Sequence, residues 1–110
     1  MKQYKFMALV TLDAPDPGEP ARQYPSGTRS LIVRCSSLGL PGLQSCFPAA
    51  IYRADGQPLK PGDASVVVTI EVADDQACAF LGPGQHITLW NGSACGHGTI
   101  TRRVFFTWAA

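Results

Sequence analysis

At 110 residues, with 45% hydrophobic and only 15% charged residues, the chain has apolar material for one packed domain spanning residues 1–110 and no length for a second folded unit. Nine Lys and Arg against eight Asp and Glu leave a formal net charge of +1, which excludes a global field that would draw the protein to nucleic acid or a membrane surface. Disorder is excluded by the same balance, and any electrostatic binding must come from a local patch.

Residues 5–12 (KFMALVTL) alternate, with Phe6, Ala8, Val10 and Leu12 on one face and Met7 and Leu9 giving the other an apolar character, which predicts a strand partly covered on its second side. Residues 13–25 hold four prolines and a glycine among polar residues and read as a surface loop. The next strand is expected over 29–35 (RSLIVRC), followed over 36–46 by an irregular loop with apolar anchors at Leu38, Leu40 and Leu43. A short strand over 47–53 precedes two turn signals, Asp55-Gly56-Gln57-Pro58 and Lys60-Pro61-Gly62-Asp63.

Residues 65–72 (SVVVTIEV) are the clearest strand, with Val66, Val68, Ile70 and Val72 on one face. After a polar stretch at Asp74-Asp75-Gln76 and a short apolar run over 78–81, residues 85–108 form two alternating runs around Asn91-Gly92, a hairpin signal that favours positive φ at both turn positions. No segment carries a helical period over three turns, so evenly spaced short strands predict an antiparallel sandwich or barrel, with the barrel favoured by apolar residues on both faces of several strands. Fraying is expected at residues 1–3 and 109–110.

Cys35, Cys46, Cys78 and Cys95 form no C-x-x-C pair, and only His86 and His97 are available to join them, so neither a metal nor any other cofactor is expected. The thiols read as free in a reducing cytoplasm, with a disulfide pair as the alternative. The N-terminal MKQYKFMALVTLDAPD shows no export signal, and no stretch approaches the roughly 18 consecutive apolar residues needed to cross a bilayer.

The order of these signals resembles a known family. Tyr24-Pro25-Ser26-Gly27-Thr28-Arg29 before LIVR, Pro61-Gly62-Asp63 before SVVVTIEV, and His86-Ile87-Thr88-Leu89 through Asn91-Gly92 to Gly96-His97-Gly98-Thr99-Ile100 are similar to the C-terminal β-barrel domain of elongation factor Tu and related translational GTPases. The resemblance covers residues 4 to about 106. It implies an all-β fold, a six-stranded antiparallel closed β-barrel. It also implies contacts with protein partners and with the T-arm of aminoacyl-tRNA, the latter at the position matched by Gly96, His97 and Gly98. The chain departs from the family in lacking any G-x-x-x-x-G-K-[ST] phosphate loop, so no GTP cycle is expected, in a longer 35–60 segment, and in placing His97 where the family has a small residue.

Catalytic groups do not converge in the sequence. Cys95 and His97 are two apart, as a thiolate-imidazole pair on one strand face would be, but no acid lies nearby in sequence to orient the imidazole; Asp74 and Asp75 read as a solvated pair. Arg29, Arg34, Arg102 and Arg103 are candidates for a basic patch, with Tyr24 or Trp90 available to stack, although adjacent Arg102 and Arg103 must point to opposite faces of a strand. Met7, Leu9, Phe105, Phe106 and Trp108 are too many apolar residues to point inward together. The expectation is a non-catalytic cytoplasmic binding module that takes a protein partner or a second copy of itself, with RNA binding through Arg29, His97 and Arg102 or Arg103 as the alternative.

Overall fold

The computed structural model describes residues 2–15, 17–18, 22–36, 44–63, 65–74 and 76–108, of which residues 2, 3, 36, 78, 79 and 105–108 are described by their backbone alone. In chain order these residues form β1 (Lys2–Leu12), β2 (Ile32–Ser36), β3 (Gln44–Pro48), β4 (Ala50–Arg53), β5 (Val66–Val72), the single helical turn α1 (Ala77–Phe80), β6 (His86–Trp90) and β7 (Ala94–Trp108). All pairings are antiparallel, and the strands lie in one sheet in the order β3-β2-β6-β7-β1-β5-β4.

The alternation in the sequence sets which face is buried. On β5, Val68, Ile70 and Val72 are buried and Val67 is exposed; on β1, Phe6, Ala8, Val10 and Leu12 are buried and Leu9 is exposed. These residues meet Val33, Phe47, Ile51, Ile87, Leu89 and Ile100 in one core. Burying about a dozen aliphatic and aromatic side chains at roughly 1.5–3 kcal/mol each is the main force holding the sheet in its curve.

The expected closed ring of six strands is corrected: the seven strands make an open half-barrel. The segment expected as one strand over 47–53 breaks at Ala49. Before the break β3 pairs with β2, and after it β4 pairs with β5. The two outer strands of the sheet therefore meet end to end at one residue, and their ends cannot form a lateral ladder there. Burial records the break, because Ala49, Ala50 and Ile51 are buried in succession where a continuous strand would alternate.

Smaller expectations also shift. The apolar run at 78–81 belongs to α1, which lays Phe80 edge-on against Phe47 with ring centroids 5.6 Å apart. The hairpin forms, but only Gly92 has positive φ, at 76°. Asn91 keeps a negative φ while its side-chain amide donates to the Tyr24 hydroxyl at 3.0 Å. Lys2 and Gln3 are held in β1, opposite Trp108 and Thr107. The anchors Leu38, Leu40 and Leu43, and the ends Met1, Ala109 and Ala110, lie outside the described residues. No helix among the described residues is long and apolar enough to cross a membrane.

Loops tie the sheet together at the end where β1 finishes. Tyr24 and Leu59 exchange backbone hydrogen bonds of 2.9 and 2.7 Å, and both side chains join the core. Arg53 binds Asp55 at 2.8 Å and Asp63 at 2.9 Å, and also donates to the Pro58 carbonyl. The Pro61-Gly62-Asp63 turn forms with Gly62 at φ 96°, the conformation that only glycine adopts without strain.

Candidate binding surface

Because side chains alternate along each strand and pair across strands, the outer face can be read as rows. One row runs Cys46, Arg34, Thr88, His97 and Thr11 across β3, β2, β6, β7 and β1. A second runs His86, Thr99, Leu9 and Val67, and a third Arg102, Met7, Thr69 and Tyr52. The surface thus grades from polar over β2, β6 and β7 to apolar over β1, β5 and β4.

The polar part centres on Arg34. Its guanidinium lies 5.3 Å from the centroid of the Trp90 ring, and its Nε donates to Gln44 Oε1 at 2.8 Å. Two residues along, His97 stands in solvent with Nδ1 3.0 Å from Asp13 Oδ1. The acid that the sequence does not place near His97 is thus supplied from 84 residues away, by the pairing of β1 with β7. No local pattern signals it.

Gly96 and Gly98 have a different task. They lie on interior rows, Gly96 between Leu89 and Leu12 and Gly98 between Ile87 and Val10. A Cβ on Gly96 would lie 2.9 Å from the Thr11 carbonyl oxygen, and one on Gly98 would press on the Leu9 carbonyl and lie 2.8 Å from Val10 Cγ1. The space a ligand backbone would need is filled by β1, so the glycines let β1 and β7 close on each other and leave His97 alone facing outward between them.

The arginines are not gathered into one patch. Arg34 and His97 flank Thr88, whereas Arg102 lies five residues farther along β7, roughly 15 Å at strand rise, with its Nε on Met7 Sδ at 3.1 Å. Arg103 donates to the Leu81 carbonyl at 3.2 Å, beside α1, so the two neighbours diverge as strand geometry requires. Arg29 is exposed just past Thr28, which bridges to Ile51 on β4.

Cys95 and His97 do not work on a common face. A register slip leaves Cys95 as the extra residue between Ala94, opposite Trp90, and Gly96, opposite Leu89. Its side chain packs against the core and donates to the Leu89 carbonyl at 3.5 Å, while the imidazole stands in solvent. Burial, opposed in part by a hydrogen bond with Tyr24, pushes the Cys95 thiol up, which disfavours the nucleophilic thiolate. Cys35, Cys46 and Cys95 are free thiols, with Cys35 buried and Cys46 exposed.

The apolar part of the surface is the feature that individual residue signals left incomplete. Leu9 and Val67 are direct cross-strand partners, and Tyr52 lies opposite Thr69 two positions along. These are the exposed large hydrophobic side chains among the described residues, at 39%, 40% and 38%, and all three stand on the outer face of β1, β5 and β4. The alternation of β5 already turns Val67 away from Val68, Ile70 and Val72, but that it stands beside Leu9 and near Tyr52 follows only from the register of β1, β5 and β4. No family model matches the chain, and no curated protein sequence does.

Proposed function

We propose that the chain is a non-catalytic binding module that takes a protein partner, a second copy included, on the outer face of β1, β5 and β4. The observation that carries this reading is the grouping of Leu9, Val67 and Tyr52, the exposed large apolar side chains among the described residues, on adjacent strands of one face. Clustered exposed apolar surface is more costly than the same residues scattered, and a partner removes that cost. The kinship with the translation-factor barrel domain belongs to this proposal. It rests on the turn and hairpin residues of the sequence, Gly27-Thr28-Arg29, Pro61-Gly62-Asp63 and Asn91-Gly92, and not on the closed barrel. A reducing, cytoplasmic setting is part of the same proposal.

The test is capture of partners from a native extract by the full chain and by Leu9→Lys with Val67→Lys, each with and without RNase. The double variant keeps its fold, since both side chains face solvent, and loses at least about tenfold in affinity for the captured protein. Undiminished capture of the same protein would remove the reading. RNA binding is the second reading, favoured by the guanidinium of Arg34 over the Trp90 ring and opposed by Asp13 beside His97. It predicts that binding falls steeply with salt and is lost in Arg34→Ala, whereas apolar docking persists in salt.

A further inference from the structure

The outer face carries one more row, beyond that of Cys46, Arg34, Thr88 and His97. Pro48 on β3, Ile32 on β2 and Trp90 on β6 are successive cross-strand partners. Alternation turns Ile32 away from the buried Leu31 and Val33, and Trp90 away from the buried Leu89. Three apolar side chains therefore stand side by side at the surface, Pro48 exposed and the other two half-buried. They cover far less than the roughly 800 Å² per partner that a stable protein–protein interface buries, so the row suits a short segment better than a folded surface.

Arg34 gives this row a charge. It follows Ile32 by two residues on the same face and leans back, so that its guanidinium lies 5.3 Å from the centroid of the Trp90 ring. Gln44 Oε1 takes its Nε at 2.8 Å, which leaves the two Nη groups, the pair with which a guanidinium grips a carboxylate end-on. Lys5 has Glu71 as counter-ion and Arg53 has Asp55 and Asp63, whereas Arg34 meets no acid among the described residues. Ring and amide hold the fork in place before a ligand arrives, so little side-chain freedom is lost on binding.

We propose that Arg34 and the apolar row of Pro48, Ile32 and Trp90 form a docking site for an acidic peptide, an extended segment of a partner protein that carries Asp or Glu within two positions of a bulky apolar residue. The carboxylate meets the Nη groups of Arg34, and the apolar side chain lies on Ile32 and Pro48. A nucleic acid suits the place less well. Affinity for a phosphate chain is built from several cations, and along the row of Arg34 the next charged groups, two strands or roughly 10 Å away, are His97 and the carboxylate of Asp13 beside it. The site lies on β2, β3 and β6, away from Leu9, Val67 and Tyr52, and goes beyond the function proposed for that face.

The experiment is selection of a library of random peptides displayed on phage against the full chain, followed by titration of the synthesised winners. The enriched peptides are expected to share an Asp or Glu near an apolar residue. Their affinity should fall at least about tenfold in Arg34→Gln and in Arg34→Lys, which keeps the charge and loses the fork, and should hold in Leu9→Lys with Val67→Lys. Amide chemical shifts of the wild-type chain on adding a winning peptide locate the contact without any substitution, and are expected to move at Ile32, Arg34 and Trp90 and to stay still over Val66–Val72. No enrichment of acidic peptides, undiminished binding to Arg34→Gln, or shifts confined to β1 and β5 overturns the proposal. Binding of a single-stranded oligouridylate at Arg34 with no acidic peptide enriched also overturns it and assigns the site to nucleic acid. Protein capture through Leu9 and Val67 is read separately, so either proposal can fail while the other stands.

Discussion

Cys35 shows how one buried side chain makes stability depend on pH. It faces the core from β2, 4% exposed, and burial, with a smaller contribution from the nearby Cys46, raises its thiol from the ordinary 9.0 to about 11. In the unfolded chain the thiol ionises near its ordinary value, whereas in the folded chain it stays protonated until about 11. Between those values the unfolded state binds fewer protons, so this contribution to stability is complete below about 9 and is lost as pH rises toward 11. The loss amounts to about 2–3 kcal/mol once both states are ionised. Urea unfolding at pH 8 and pH 11 checks it: wild type should lose more stability than Cys35→Ala over this interval, although the variant starts lower because of its cavity. Equal losses in the two proteins would show that the Cys35 thiol is not held neutral by the fold.

The behaviour of β7 is set by two positions where a side chain has no room. Gly98→Ala drives a Cβ into the Leu9 carbonyl and the Val10 side chain, and backbone on one side of the contact cannot swing away as the end of a long side chain would. The expected cost is about 2–4 kcal/mol, read as a lower urea midpoint with unchanged slope, against about 1 kcal/mol for Gly92→Ala, where there is open space and only the φ of 76° resists. Equal midpoints for the two variants would contradict the close approach of β1. The need for glycine here is legible in the sequence, but its direction is not: Gly-His-Gly reads as a barrel-corner bulge, with close approach by a partner as the alternative, and only the register with β1 and β6 shows that both glycines face inward. Elements with one buried face, such as β5 and the first half of the hairpin, are legible because burial imposes a period of two. α1 is not, since four residues complete no helical period, and the break at Ala49 hides because small alanines fit either face. The pairing of His97 with Asp13 is illegible for a further reason: it depends on the juxtaposition of strands from opposite ends of the chain.

That same juxtaposition governs how the whole molecule assembles. β1 and β7 lie side by side at the centre of the strand order, so the sheet cannot be completed until the chain has closed a loop of nearly its full length. Such closure costs entropy before any contact offsets it, and folding dominated by distant pairings takes milliseconds to seconds. Lys2 and Trp108 are cross-strand partners, with Cα atoms roughly 5 Å apart in an antiparallel ladder, so a short linker can join these ends without disturbing the sheet. A circular permutant opened between the exposed Gly56 and Gln57 turns the β7–β1 pairing into a local hairpin and leaves every strand intact. Opening there loosens the turn that Arg53 and Asp55 brace, so its stability should fall slightly while its refolding rate rises by about tenfold or more. Stopped-flow refolding of both proteins at matched final stability measures the difference. If the permutant refolds no faster than the parent, closing β1 against β7 is not the slow step.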